Sequence, residues 1–340
     1  MKTMLLEENT VLVIVSGGLG LLISWAVSRY ILKNFVKHGI FGVDYHKPDK
    51  PQIPEMGGLA FIAGVAAASI PVLLLGRYLV EVFGILATVL ATGLVGIVDD
   101  YKKLNAIAKP VLTALAGIPL IITHPYMGTL KLPFGIVFRI PLLYVLIIPG
   151  MLAVVSNSIN MFDTMNGTAT GSSLLMLVTV FTAIVFKNYF GGADIGLAGI
   201  LFTIIFFPLL VLYAYNKYPA KVFVGDTGTL SIGGALTAFS IINGCEVLLV
   251  ISLLPHLTNG FFNLSSMGRL FERSELSVRP IIVSEDGTIV ANNDLKAPIT
   301  LTRFIAALGF NNEREIIKAM MALCVLSDLL AIITVILGLW

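Results

Sequence analysis

Long apolar runs recur along this 340-residue chain and restrict how it can fold. A bilayer-spanning helix needs about 20 mostly apolar residues. Only 12% of the residues are charged and 57% are hydrophobic, whereas soluble domains have about 25% charged residues. We therefore predict an all-α polytopic membrane protein with about ten transmembrane helices. The ten runs are Val11–Leu32, Gly57–Leu75, Val80–Val98, Ile107–Thr123, Phe138–Val155, Ser172–Phe186, Ile195–Tyr213, Leu230–Ile242, Glu246–Phe262 and Ile316–Leu339.

The chain shows no second domain, so residues 1–340 are predicted to form one multi-pass membrane domain. Its last connection, residues 255–314, is long enough to hold structure of its own. Arg279–Val283 and Thr288–Val290 flank an Asp-Gly turn, which predicts a small β-hairpin. Leu301–Leu308 predicts a short amphipathic helix at the membrane interface. Both elements form a predicted cytoplasmic insertion before the last helix.

The distribution of basic residues predicts the orientation in the membrane. Ten spans place alternate connections on opposite sides, and Lys and Arg collect on the cytoplasmic side. Of the 22 Lys and Arg residues, 17 fall on the side of the first connection. The other five are Lys2, Arg77, Lys131, Arg139 and Lys187. The first connection is therefore predicted to be cytoplasmic and both termini external. The first run lacks a preceding basic segment and a cleavage site, so it is expected to be a retained span.

Polar clusters concentrate on the predicted cytoplasmic side, and together they predict a single site there. The net charge of +2 is too small to indicate a nucleic-acid partner. The clusters are Asp44–Glu55, Asp99–Lys109, Asn157–Gly167, Lys217–Asp226 and Pro255–Arg314.

Asp226 stands out, because it lies between Gly225 and Gly228 at the start of an apolar run. A charged group beside hydrocarbon is costly and usually functional. The alternative is a helix N-cap in a glycine-containing turn.

The acids and carboxamides of the clusters are hard oxygen ligands, which suit magnesium. They are Asp99, Asp100, Asn160, Asn166 and Asp226. Lys109 follows the double acid in the same connection and offers a positive charge for a phosphate. A metal site, a lysine and a membrane setting together favour phosphoryl transfer that involves a lipid. The alternative is that the charged residues from Asp99 to Lys103 only form a solvated loop.

Several motifs in order resemble the polyprenyl-phosphate N-acetylhexosamine-1-phosphate transferases. They are Val98-Asp99-Asp100 with Lys109, Asn157–Asn160 with Asn166-Gly167, and Val222–Thr227. Gln52–Glu55, Leu301–Phe304 and Glu313-Arg314 are similar to the eukaryotic and archaeal branch that tunicamycin targets. That branch uses UDP-GlcNAc and dolichyl phosphate.

The resemblance implies a ten-helix fold and transfer of GlcNAc-1-phosphate from UDP-GlcNAc to dolichyl or another polyprenyl phosphate. The products would be GlcNAc-diphosphodolichol and UMP, in the first lipid-linked step of N-glycan assembly. The implied cofactor is Mg²⁺, with Mn²⁺ as a substitute. A second copy of the chain is a candidate partner. The active site would face the cytoplasm. The short loops favour an archaeal cell membrane, and the endoplasmic reticulum membrane is the setting expected in a eukaryote.

The resemblance also implies a role for each matched residue. Asn160 and Asp226 would bind the metal, and Lys109 would bind the phosphates. Asn166 would contact the uracil and Glu55 the nucleoside, and the backbone of Val43 and Tyr45 would line the same pocket. Asp99 and Asp100 would order the lysine and the acceptor phosphate.

Two positions depart from this pattern. Asp163 adds a third acidic group to the predicted catalytic set, as in bacterial members of the family. The last connection lacks the family's basic, histidine-containing cluster, and its candidate substitutes for reading the sugar are Arg269, Arg273 and Arg279.

Other functions remain open at this point. An undecaprenyl-phosphate transferase of cell-envelope synthesis, or an enzyme for another UDP-sugar, is the nearest alternative. A cation-coupled transporter is more remote, because its site would lie near the bilayer midplane on broken helices. A CDP-alcohol phosphatidyltransferase would need an Asp-Gly-x-x-Ala-Arg pattern, which the sequence lacks.

Overall fold

A computed structural model describes residues 2–123, 128–189, 194–268 and 278–338. The helices are α1 (Lys2–Asn34), α2 (Gly58–Leu74), α3 (Leu79–Lys102), α4 (Ala108–Leu115), α5 (Ile118–Thr123), α6 (Pro141–Phe162), α7 (Thr168–Tyr189), α8 (Ile195–Asn216), α9 (Gly225–Ile242), α10 (Glu246–Ser252), α11 (Leu254–Met267), α12 (Leu301–Ala307) and α13 (Glu313–Ile336). The strands are β1 (Phe41–Val43), β2 (Gln52–Pro54), β3 (Thr129–Lys131), β4 (Val137–Arg139), β5 (Ile281–Val283) and β6 (Ile289–Ala291).

Within the described residues, six helices are long and apolar enough to cross a membrane. They are α1, α3, α6, α7, α8 and α13. Helices α10 and α11 meet at a 64° bend and make a seventh span if counted together. The protein is thus a mostly helical, multi-pass membrane protein. The predicted number of ten spans stays a prediction, because α2 and the interrupted α4–α5 run are shorter and α9 is not one of the six helices.

Helix α9 lies at the centre of the helix assembly. Every residue from Thr227 to Ile242 is buried, and the helix packs against α2, α3 and α6. Close approach depends on glycines. A Cβ at Gly58 would lie 2.1 Å from the backbone nitrogen of Gly228, and one at Gly96 would lie 2.4 Å from the backbone oxygen of Asp226. The first turn of α9 therefore fits between α2 and α3 only with glycine at these positions.

Two polar motifs lie on helices where connections were expected. Helix α3 continues through Asp99 and Asp100, and α6 continues to Phe162, so that it carries Asn160. Lys109 lies in the first turn of α4. Helix α6 also begins later than its apolar run, because β4 occupies its first residues and Pro141 fits the first turn of a helix. The site residues consequently sit on helix ends.

Two antiparallel hairpins lie near these helix ends. In the first, β1 pairs with β2, and Val43 faces Gln52. In the second, β5 pairs with β6, and Ile281 faces Ala291. The second hairpin and α12 share a hydrophobic cluster with α13 that includes Ile289. Whether this region lies in the cytoplasm stays a prediction.

Candidate active site

Lys109 joins two carboxylates from different helices. Its ammonium nitrogen lies 2.6 Å from Asp99 Oδ2 and 3.3 Å from Asp226 Oδ2. The Asp99 carboxylate also accepts a hydrogen bond of 2.6 Å from the backbone amide of Leu104, just after α3. Because Asp99 and Lys109 are nearly buried, the lysine is held in one place rather than sampling solvent. This arrangement fixes a positive charge beside Asp226.

The Asp226 carboxylate faces the end of α6. Asn160 Nδ2 donates to Asp226 Oδ1, and it also donates to Thr229 Oγ1 at 2.8 Å. Helix α9 begins at Gly225, and its N-cap residue Val224 forms no side-chain cap bond. Asp226 is therefore in the first turn and bonds to other helices, so the alternative of an N-cap at Asp226 is wrong.

Asp100 does the capping instead. Its carboxylate accepts hydrogen bonds from the backbone amides of Asp226 at 2.8 Å and Thr227 at 3.0 Å. The hydroxyl of Thr227 also donates to it at 2.6 Å. A carboxylate at a helix N-terminus is favoured by the free amides and by the helix dipole. The contact to the lysine comes from Asp99, while Asp100 ties α3 to α9.

A second polar cluster surrounds Asn166. Asn166 Nδ2 donates to Asp44 Oδ2 at 3.0 Å, and Lys47 donates to the same carboxylate. Lys47 also lies 3.2 Å from Glu313 Oε2, at the start of α13. Burial raises the pKa of Asp44, but hydrogen bonds from Lys47 and Asn166 outweigh it and hold that pKa below its ordinary value. For Lys47, burial lowers the pKa, and the two carboxylates more than compensate and raise it.

Two chain segments join this cluster to the Lys109 site. One runs from Asn160 to Asn166. The other runs from Asp44 through β2 to α2, and it pairs with the residues before α9. Phe223 donates its amide to the Pro54 carbonyl at 2.8 Å, and Gly57 donates to the Phe223 carbonyl at 2.8 Å. The two clusters are thus connected through short backbone segments.

The remaining predicted residues are spread around these clusters. Val43 ends β1, and the backbone amide of Glu55 donates to the Ile40 carbonyl at 3.4 Å. The Tyr45 ring lies 4.1 Å from the guanidinium carbon of Arg279. Asp163 follows α6 and donates its amide to the Asn160 carbonyl at 3.2 Å. Arg269 and Arg273 lie outside the described residues.

Lys47 and Glu313 form the second cluster with Asp44, but neither was given a role in the site from the sequence. They are 266 residues apart, and no local pattern links them. A glutamate at the start of the last apolar run was the available signal, but it also fits the ordinary preference for acids in a first helical turn.

Residues 82–244 match the family described as Glycosyl transferase family 4. Together with the relatives that follow, the fold and this match define a membrane-bound sugar-phosphate transferase. A protein of Saccharolobus solfataricus named "Putative UDP-N-acetylglucosamine--dolichyl-phosphate N-acetylglucosaminephosphotransferase" is 30% identical over 273 residues, covering 73% of this chain and 80% of the relative. The chain therefore belongs to this glycosyl transferase family.

Two further relatives cover less of the chain. A protein of Sulfolobus acidocaldarius with the same name is 30% identical over 250 residues, covering 70% of this chain and 73% of the relative. A phospho-N-acetylmuramoyl-pentapeptide-transferase of Shouchella clausii is 32% identical over 217 residues, with 59% and 64% covered.

Proposed function

We propose that the protein transfers GlcNAc-1-phosphate from UDP-GlcNAc to dolichyl or another polyprenyl phosphate. The products are GlcNAc-diphosphodolichol and UMP. The observation that carries the proposal is the convergence of Lys109, Asp226 and Asn160 from three helices at one polar site. The archaeal relatives, matched over most of the chain, support the same donor and acceptor through their names.

The proposed reaction is a displacement at the β-phosphorus of the donor. An oxygen of the acceptor phosphate forms a bond to that phosphorus, and the bond to the oxygen bridging the two donor phosphates breaks. UMP leaves with the bridging oxygen. The acceptor is a phosphomonoester with a second pKa of about 6, so it is largely a dianion at neutral pH and needs no general base.

Lys109 has the position to stabilise phosphate charge in this step. Asp99 holds its ammonium group at 2.6 Å, while the second contact, to Asp226, is longer at 3.3 Å. A charge held in place before the reaction stabilises the transition state without reorganisation. Asp99 thus acts as the positioning residue for Lys109, and Asp100 positions Asp226 by anchoring its helix.

The donor atoms at this site fit magnesium. The Asp226 carboxylate and the carboxamide oxygen of Asn160 are hard oxygen ligands, and both Asn160 bonds described above use the nitrogen instead. Asp226 and Asn160 would hold the ion, with Asp163 nearby in sequence. The metal would neutralise charge on the donor diphosphate. Manganese is the expected substitute.

The second cluster is the proposed nucleoside site. Asn166 would contact uracil, with Glu55 and the backbone of Val43 and Tyr45 lining the pocket. Arg269, Arg273 and Arg279 are the candidates for recognising the sugar. Of these three, Arg279 lies within the described residues, where it stacks on the Tyr45 ring.

We also propose ten spans with the site on the cytoplasmic side. The supporting observation is that 17 of the 22 basic residues share the side of the predicted site. Cysteines introduced at Asn105 and Asn292 should react with a membrane-impermeant maleimide only from the cytoplasm. The two native cysteines are buried, which keeps background labelling low. Labelling of both positions from outside would contradict this orientation.

The proposed activity is tested with purified protein, magnesium and matched substrate pairs. UMP release and lipid product are measured with UDP-GlcNAc, UDP-N-acetylgalactosamine and UDP-N-acetylmuramoyl-pentapeptide, each with dolichyl or undecaprenyl phosphate. We expect UDP-GlcNAc with dolichyl phosphate to react fastest. The match to the Shouchella clausii protein makes the muramoyl-pentapeptide donor the second candidate. Preference for that donor with undecaprenyl phosphate would contradict the proposal in favour of cell-envelope synthesis.

A further inference from the structure

The carboxamide of Asn166 is held in one orientation. Its nitrogen lies 3.0 Å from Asp44 Oδ2, and Asp44 and Asn166 are only 2% and 6% exposed. An ionised carboxylate accepts hydrogen bonds and donates none. The amide NH₂ group must therefore face Asp44, and the amide oxygen must face the other way.

Asp44 is itself fixed from several directions. Lys47 bonds to its carboxylate and to Glu313, and the ammonium group of Lys47 also lies 5.0 Å from the ring centre of Tyr218. Lys47 thus joins Asp44 to Glu313 and holds the Asp44 carboxylate in place.

The orientation leaves an acceptor available. Within the part of the chain that the structure describes, the carboxamide oxygen of Asn166 accepts no hydrogen bond. The oxygen is not enclosed by the described residues, so it is open to water or to a ligand. A fixed amide with one side bonded and an open oxygen on the other favours a ligand that offers an N–H group.

We propose that Asp44 is a positioning residue that sets the nucleobase specificity of the enzyme. By turning the oxygen of Asn166 towards the ligand, it selects uracil, whose N3 carries a hydrogen, over cytosine, whose N3 is an acceptor. This inference rests on the proposed use of a uridine nucleotide. It assigns discrimination between two bases to a residue that does not itself touch the base.

The test compares the binding of UDP and CDP to the purified protein in detergent with magnesium, by calorimetry. Wild-type protein should bind UDP more tightly. In Asp44→Leu, a side chain of similar size offers no acceptor to the Asn166 nitrogen, so the Asn166 carboxamide is free to turn over. The ratio of the two dissociation constants should fall about tenfold, as expected for one hydrogen bond of this kind.

Glu313→Gln is the matched control. It removes one negative charge from the same ion-pair network and keeps the shape of the side chain, but it leaves the Asp44 bond to the Asn166 carboxamide in place. The UDP to CDP ratio should therefore stay at the wild-type value. An equal fall in both variants would assign the effect to network charge and overturn the inference.

A double variant addresses folding. If Asp44→Leu alone does not fold, Asp44→Leu with Lys47→Met removes both charges of the pair and should show the same reduced ratio. An unchanged ratio in a folded Asp44 variant, or a wild-type protein that binds UDP and CDP equally, would contradict the inference.

The UMP-release assay separates this result from the proposed function. Wild-type protein that prefers UDP but releases no UMP would retain the inference and remove the transferase. Transfer from UDP-GlcNAc by wild-type protein, with an unchanged UDP to CDP ratio in the Asp44 variant, would retain the proposed transferase and reject the inference about Asp44.

Discussion

Lys109 and Asp226 are 117 residues apart in the sequence, and their side chains lie 3.3 Å from each other. The lysine comes from the first turn of α4, and the aspartate from the first turn of α9. Helix α9 is buried along nearly its whole length, so its polar first turn is held in place by the packing of the surrounding helices. The packing of the helices therefore sets the contact between Lys109 and Asp226, on which the proposed chemistry depends.

Replacing Lys109 tests the role of that contact. Lys109→Ala should lower transferase turnover at least a hundredfold, because a fixed charge at a transferring phosphate contributes about 3 kcal/mol or more. Lys109→Arg should restore little, because a planar guanidinium differs in shape and hydration from an ammonium group. UMP release is measured for both variants, with thermal unfolding to verify that each is folded. Near-wild-type turnover in Lys109→Ala would remove the lysine from the phosphate site.

Asp100 should be a structural residue first. Asp100→Ala removes the acceptor for two backbone amides and a hydroxyl at the start of α9, so we expect a loss of about 2 kcal/mol in stability. The unfolding midpoint of the purified protein measures this loss. Asp99→Ala is the comparison, since it should reduce turnover through Lys109. Unchanged stability in Asp100→Ala would contradict the capping role.

The close helix packing at Gly58 gives a steric prediction. Gly58→Ala places a methyl group against the backbone of Gly228, and overpacking of this kind costs about 1–3 kcal/mol. Gly199→Ala in α8 is the matched control, because a Cβ there has no atom of the described residues within 4 Å. The control should be neutral or slightly stabilising, since alanine is the better helix former. Equal midpoints for both variants would show that the helices can separate without cost.

The Asp44–Lys47 pair should make stability depend on pH in two windows. The pKa of Asp44 is lowered from its ordinary 3.8, so its contribution is present above that value and is lost as the pH falls through the folded pKa. The pKa of Lys47 is raised from 10.5, so its contribution is present below that value and is lost as the pH rises through the folded pKa.

Thermal unfolding of wild-type and Asp44→Asn protein, followed from neutral pH down to about pH 3, tests the acid window. Wild-type protein should be more stable at neutral pH, and the difference should shrink as Asp44 becomes protonated. A constant difference over that range would mean that the charge of Asp44 does not stabilise the fold.

The helical segments could be predicted from the sequence because long apolar runs leave few alternatives in a membrane. The helix ends could not. Asp99, Asp100 and Asn160 looked like connection residues because they are polar, yet the helices continue through them, and other helices satisfy their side chains. In a buried helix end, polarity indicates a site as readily as it indicates a loop.

The division of roles between Asp99 and Asp100 also needed the structure. Adjacent residues on a helix point in different directions, so one contacts Lys109 and the other caps α9. The three-residue strands β1 and β2 were too short to give an alternating pattern. They nevertheless place Asp44 beside Asn166. Such partners are set by tertiary packing across hundreds of residues.

The most direct test of the account is turnover of Asp226→Asn across a magnesium titration. The change keeps the size of the side chain but removes a negative charge from the proposed metal site, so activity should fall at least a hundredfold. Asp194→Asn is the matched control. Asp194 is a true N-cap, accepting hydrogen bonds from the amides of Gly196 and Leu197, and asparagine caps as well as aspartate. We expect full activity for Asp194→Asn and a large loss for Asp226→Asn, which added magnesium relieves in part if weakened metal binding is the main defect. An Asp226→Asn enzyme that is fully active and indifferent to magnesium would contradict the proposed metal site.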